Sequence, residues 1–342
     1  MDPKVCLLVS HNSRIQCLLD NIKPSTEKIR FQNCAIMELV LRRQYIKLSL
    51  VYPGEITEAE KLTDRPFYVV DNILDPSRSP KYVPYKTFEM RGTSCFQVIK
   101  RLKLLPEDID LEGGFTFYII RHGISEHNEK TKFLGIKIPN LKLDTSLIPG
   151  GISSAERAGD YINNSLIISG HLNIDRIYVS DLERTDQTVR IIMQKIGNVG
   201  VVPIVLPCAS EVVKSGEGGN CDSFNADLPL YKKLARENYP ACTTTKIRDQ
   251  TSHCSKLDWR LYLEFYDSQM RGEYDSIYGR MTGSKPAKQQ CRNTTVIAMA
   301  VYEMMHFKQA TGRPLPLFIQ ERNNYVGGTR KKKRTKKNKN RY

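Results

Sequence analysis

A chain of 342 residues with 40% hydrophobic and 8% aromatic content holds enough apolar material for a real core, which excludes wholesale disorder. Its formal charge of +15 is uneven: residues 330–342 (RKKKRTKKNKNRY) carry nine basic residues and no acid, so the body retains +6, which is 15 minus 9. The nine cysteines are odd in number and form no CxxC pair, no secretory apolar segment precedes them and no apolar run is long enough to span a bilayer, so the expected setting is reduced, intracellular and cytoplasmic.

In chain order, the apolar run Val5–Ser10 predicts a strand that stops at His11, and Ile15, Leu18 and Leu19 follow with helical spacing. Residues 34–41 and 45–52, separated by Arg42, Arg43 and Gln44, read as a β-hairpin with Pro53-Gly54 as its stop. From Thr57 to Gly114 the pattern weakens and predicts loops, a short strand at Phe67–Val70 and a helix near 94–104. The whole segment 22–112 is therefore an insertion or a bridge between two parts of one sheet. Phe115–Arg121 is a buried strand that ends abruptly in the polar cluster Arg121-His122-Gly123-Ile124-Ser125-Glu126-His127-Asn128.

Beyond it, Glu156–Ile168 predicts an amphipathic helix, Arg176–Ser180 a strand, Thr185–Ile196 a helix and Val201–Leu206 a further strand. Segment 215–290, rich in Gly, Asn, Asp and Lys, reads as an excursion covering the site. Residues 293–307 form a strong helical pattern, with Asn293 or Thr294 as candidate cap. Strands alternating with helices predict an α/β fold with a doubly wound, mostly parallel sheet, built as one domain over 1–322 with a disordered basic tail at 323–342.

A strand that delivers Arg, His and Gly at its C-terminal end suits an anionic ligand, and the chemistry it suggests is phosphoryl transfer through histidine. His122 is then the nucleophile, and Arg121 and Arg184 grip phosphoryl oxygens with paired N–H donors. Gly123 lets backbone approach the phosphate, and Asn128 and Ser125 add hydrogen bonds. The second strand-to-histidine unit supplies His11, expected opposite His122. Glu211 is the candidate acid for the leaving oxygen, with Glu217 or Asp222 as substitutes. Arg14 either binds substrate or covers the sheet edge, and His127 is a rim residue. The histidines and cysteines do not converge at ligand spacing, so neither metal nor cofactor is expected. Tail residues 330–342 suit nucleic acid or another polyanion.

The ordered motifs resemble those of the histidine phosphatase superfamily, the group containing phosphoglycerate mutases and histidine acid phosphatases. The family's RHG followed by Ser or Thr and then Asn is similar to RHGISEHN at 121–128. Its D-x-x-L-T-x-x-G-x-x-Q-A segment resembles Asp144 to Ala155, and its S-D-L-x-R-x-x-x-T resembles Ser180-Asp181-Leu182-Glu183-Arg184-Thr185-Asp186-Gln187-Thr188. The family's last motif, a strand ending in His-Gly near the C-terminus, has no match after Arg184, since His253 lies in a polar loop and His306 late in a helix. Val5 to His11, followed by Asn12-Ser13-Arg14-Ile15, matches it instead. The resemblance thus implies a circular permutation of the phosphoglycerate mutase type of fold, with the strand carrying the second histidine moved to the N-terminus and helix 293–307 left at the other end. Asn12 replaces the usual glycine, which is acceptable where a left-handed or turn conformation is needed, because Asn tolerates φ > 0 better than most residues. The resemblance implies a metal-independent phosphomonoesterase working through phosphohistidine. The alternatives are mutase-like phosphotransfer, or an inactive phosphate- or nucleic-acid-binding protein of the same fold.

Overall fold

The structure is a computed structural model that describes residues 3–23, 30–55, 67–70, 82–111, 113–126, 128, 131–133, 136–138, 144–170, 173–197, 201–206, 209, 256–262 and 296–306. The chain divides into one unit over Met1–Thr311 and another over Gly312–Tyr342, and the basic tail, with all of the second unit, lies outside the described residues.

The strands are β1 (Lys4–Ser10), β2 (Ile36–Arg42), β3 (Tyr45–Tyr52), β4 (Phe67–Val70), β5 (Tyr82–Tyr85), β6 (Phe88–Arg91), β7 (Phe115–Arg121), β8 (Thr131–Phe133), β9 (Ile136–Ile138), β10 (Arg176–Val179) and β11 (Ile204–Val205). The helices are α1 (Asn12–Ile22), α2 (Cys95–Arg101), α3 (Pro106–Leu111), α4 (Pro149–Tyr161), α5 (Glu183–Lys195) and α6 (Val296–His306). A seven-stranded sheet runs β11-β10-β1-β7-β2-β3-β6, while β4–β5 and β8–β9 form separate pairs.

The sheet is mixed rather than mostly parallel. From β11 to β7 the pairings are parallel, and from β7 through β2 and β3 to β6 they are antiparallel. The reason is local: a tight turn makes β2 and β3 a hairpin, and only antiparallel strands are joined that way. Segment 22–112 contributes β2, β3 and β6 to the main sheet, and the hairpin expected from its sequence extends the parallel half from β7 outwards.

β1 and β7 are the central strands, and their near-continuous burial explains why each reads as an unbroken apolar run instead of an alternation. One face of the sheet carries Cys6, Leu8, Phe117, Ile119 and Tyr178 into a core shared with Ile15, Leu18 and Ile22 of α1, Val98 and Ile99 of α2, and Val296 to Val301 of α6. The alternate residues Leu7, Val9, Ile177 and Val179 are also buried and point to the opposite face, where α4 and α5 pack on each other and α5 against β1 and β10.

Two departures from the sequence reading are instructive. Helix α4 begins at Pro149 instead of Glu156, because Pro at the first helical position is pre-set for φ while the following Gly150-Gly151 masks the helical signal. The described part of the 215–290 excursion, residues 256–262, extends the β11 edge: Val205 N–H donates to Asp258 O and Asp258 N–H to Pro203 O, both at 2.9 Å. The proposed caps Asn293 and Thr294 lie outside the described residues. No described helix is long and apolar enough to cross a membrane.

Helix α6 is fixed to the sheet by a buried polar contact as well as by its apolar face. Tyr178 Oη donates to Ala300 O at 3.1 Å and to Glu303 Oε2 at 2.8 Å, and Arg176 Nε donates to the same oxygen at 3.2 Å. Burial pushes the Glu303 carboxyl above its ordinary value, only partly countered by Tyr178 and Arg176. The folded protein then binds that proton more tightly than the unfolded chain does. The contribution is fully present below the ordinary glutamate range and is lost as pH rises through the raised folded value. In urea unfolding from about pH 4 to about pH 8, the stability of the wild type relative to Glu303→Gln should therefore fall with rising pH. A flat difference would contradict it.

Candidate active site

The parallel register pairs Ser10 with Arg121, so β1 and β7 end at the same level and place His11 and His122 side by side beyond their C-terminal ends. The ring centroids are 5.0 Å apart. His122 N–H donates to Ser10 O at 3.0 Å, which ties one strand end to the other. Next to β1 on its other side, β10 leads into α5, whose second residue is Arg184. The Arg184 guanidinium is fully buried between the rings, with Nε donating to His122 Nε2 at 3.3 Å and Nη2 lying 3.4 Å from His11 Nδ1.

These partners assign the protons. A carbonyl oxygen only accepts, so His122 Nδ1–H donates to Gly123 O at 2.7 Å, and Nε2 keeps its lone pair toward Arg184. A guanidinium only donates, so His11 Nδ1 accepts from Arg184 and Nε2–H donates to Ser180 Oγ at 2.9 Å. Desolvation, and then the charges of Arg184, His122, Arg14 and Arg121, hold His11 well below its ordinary pKa. His11 is therefore neutral, and the charged groups acting most strongly on it are all basic. Arg14, Arg121 and Arg184 are all buried here, an assembly that favours an anion with several oxygens.

The expected site residues are thereby located. His11, Arg14, Arg121, His122 and Arg184 converge, with Arg14 buried among the charges that act on His11. Gly123 has a further duty: a Cβ there would stand 2.6 Å from Gly151 O, so the loop after β7 lies directly on the first turn of α4. Its N–H donates to Thr188 Oγ1 at 2.9 Å. Ser125 is buried and donates from N and Oγ to Asn128 Oδ1 at 3.0 and 3.1 Å, so Asn128 fastens this loop through its oxygen. Asn12 is not left-handed: it is the first residue of α1, and the described non-glycine residues at positive φ are Cys34 and Lys103. Glu211, Glu217, Asp222 and His127 lie outside the described residues. No three described His, Cys, Asp or Glu side chains group as a metal-ligand set.

Sequence reasoning gave no role to Ser180, which orients His11, or to Thr188, whose hydroxyl donates to Arg184 O at 2.7 Å while accepting from Gly123. Both were visible inside the motif at 180–188. The carbonyl of Phe31, which accepts from Arg121 Nη1 at 2.6 Å, had no side-chain signal at all.

Residues 117–211 match the histidine phosphatase superfamily (branch 1). The chain is 30% identical over 109 residues to a 2,3-bisphosphoglycerate-dependent phosphoglycerate mutase of Azorhizobium caulinodans, covering 32% of this chain and 46% of that protein. It is 35% identical over 87 residues to the broad-specificity phosphatase YOR283W of Saccharomyces cerevisiae, covering 25% and 33% of the two chains. A second mutase of the same name, from Xanthobacter autotrophicus, is 35% identical over 83 residues, covering 24% and 35%. The chain thus spans less than half the length of each of these relatives, and no solved structure matches it. Over this segment, which contains Arg121, His122 and Arg184, the chain is similar to the histidine phosphatase superfamily, and the fold bonds Arg184 to His122.

Proposed function

We propose that the protein is a phosphomonoester hydrolase that works through a phosphohistidine and requires no metal. The observation that carries the reading is the pair of imidazoles 5.0 Å apart with the Arg184 guanidinium bonded to both. His122 Nε2 attacks phosphorus and the N–P bond forms as the ester P–O bond breaks. Glu211 gives its proton to the departing alkoxide. Water then attacks phosphorus, the N–P bond breaks, Glu211 takes the water proton, and inorganic phosphate leaves. Arg121, Arg184 and His11 hold the equatorial oxygens throughout. Support for Glu211 comes from Ala209, two residues before it, whose carbonyl accepts from Ser10 Oγ at 2.8 Å and so runs beside the end of β1.

On the same reading the chain is a circular permutation of the family order within a single domain, 1–322. Its support is the position of β1 between β7 and β10, and the docking of α6 on Cys6 and Tyr178 from the far end of the chain. The substrate is a small phosphorylated molecule, and the tail 330–342 is a polyanion-binding arm. Mutase action is the second reading, favoured by the names of two of the relatives.

Hydrolysis of an aryl phosphate should persist in chelator and fall by at least about 10³-fold in His122→Ala, on the scale of losing a nucleophile. An acid-labile, alkali-stable phosphoprotein should be trapped on rapid quench. If no phosphoester is turned over, the enzyme reading is wrong; if phosphate passes to an added alcohol faster than to water, the mutase reading replaces it.

Because burial, and then the surrounding basic charges, hold His11 below its ordinary pKa, a bound dianion offsets those charges and raises the value, so binding takes up a proton and weakens as pH rises. Calorimetry with sulfate in buffers of different ionisation enthalpy should detect that uptake near neutral pH, and His11→Asn should abolish it. Equal uptake by both proteins would assign the proton elsewhere. Deleting 330–342 should leave turnover of a small substrate unchanged and weaken salt-sensitive binding of oligonucleotides; equal binding by both forms would reject that role.

A further inference from the structure

Arg121 is held by a turn that lies outside the matched segment 117–211. Its Nη1 donates to Phe31 O at 2.6 Å, while its backbone is gripped on both sides, with Arg121 N–H donating to Ala35 O at 3.1 Å and Cys34 N–H to Arg121 O at 3.0 Å. The turn closes through Ala35 N–H to Gln32 O at 3.1 Å, with Cys34 in the left-handed region at φ 58. A left-handed non-glycine residue persists only where its surroundings over-determine it. They do here. Asn33 and Glu55 exchange two backbone hydrogen bonds, at 2.9 and 2.8 Å, and Glu55 is ion-paired with Arg157 of α4. Gly54, at φ 73, leaves no room for a Cβ against the Asn33 and Ala35 backbone.

One side chain connects this turn to the other histidine. Asn12, next to His11, accepts from Phe31 N–H through Oδ1 at 3.0 Å. The side chain does not cap its own helix: α1 has His11 as its N-cap residue, without a side-chain cap bond. Phe31 therefore receives a bond from Arg121 at its carbonyl and gives one to Asn12 at its amide. We infer that Asn12 is a positioning residue, which through the backbone of Phe31 fixes the Arg121 guanidinium for gripping the anion. This rests on the reading of Arg121 as an anion-binding group. It also supplies a physical reason for asparagine at a position whose backbone needs no glycine: a terminal amide oxygen reaches the turn, and a residue without one does not. Fixing one N–H on a carbonyl leaves the other guanidinium donors pre-aimed, so less rotamer freedom is lost when the anion arrives.

The test is a double-mutant cycle between Asn12→Ala and Arg121→Ala, read on sulfate affinity by calorimetry and on the kcat and KM of aryl phosphate hydrolysis. Asn12→Ala alone should weaken sulfate binding and lower kcat/KM about tenfold, the scale of a modest misplacement. In the Arg121→Ala background it should cost nothing further. Asn12→Ser, which suits a first helical turn but is too short to reach Phe31 N–H, should behave like Asn12→Ala and keeps the test intact if the alanine variant fails to fold. An equal loss with and without Arg121 overturns the inference, since that is what a general packing role gives. Sulfate binding with full coupling but no turnover sinks the hydrolase reading and leaves the inference standing. A wild type that binds no sulfate overturns both.

Discussion

Everything at this site depends on one register: Ser10 opposite Arg121 in a parallel pair of almost wholly buried strands. A shift by one residue would send His11 to the other face of the sheet, because side chains alternate along a strand. With the register as it is, two imidazoles meet at the same level and a third strand, β10, brings Arg184 between them. The burial of β1 and β7 on both faces makes the register unforgiving, and the site inherits that rigidity.

Such a cluster opposes folding before it assists anything. Three buried arginines repel one another and lose hydration, and each buried ion costs several kcal/mol of desolvation, roughly, even after relaxation. The protein limits that cost in two ways. It leaves His11 neutral, and it gives guanidinium donors to carbonyls and ring nitrogens, as in Arg121 to Phe31 O and Arg184 to both rings. What is left is a preorganised field awaiting negative charge, which is the arrangement that phosphoryl transfer needs.

The elements that hold this field come from distant parts of the chain. Thr188 links the loop after β7 to the start of α5, Ser180 links β10 to His11, and the turn at 31–35 links the hairpin half of the sheet to Arg121. The antiparallel half is thus more than an edge extension, since its first turn holds one of the arginines. At the other end of the chain α6 closes the opposite side of the core over Cys6 and Tyr178, so the two ends of the described fold meet on neighbouring strands.

Much of this was legible in sequence because local chemistry and periodicity are local properties. Val5–Ser10 and Phe115–Arg121 read as buried strands, each halting at a histidine, and the hairpin at 34–52 showed in its two runs and the Arg42, Arg43 and Gln44 between them. The start of α4 was not legible, because Gly151 serves contact with the Ile124 backbone, which no local window contains. Nor was the antiparallel join of β2 to β7, nor the reason for Asn12. The residues by themselves determined which basic groups would stand at which strand ends. Only tertiary structure decided how those groups are aimed, since a carbonyl such as that of Phe31 has no letter of its own and acts only where the fold brings it.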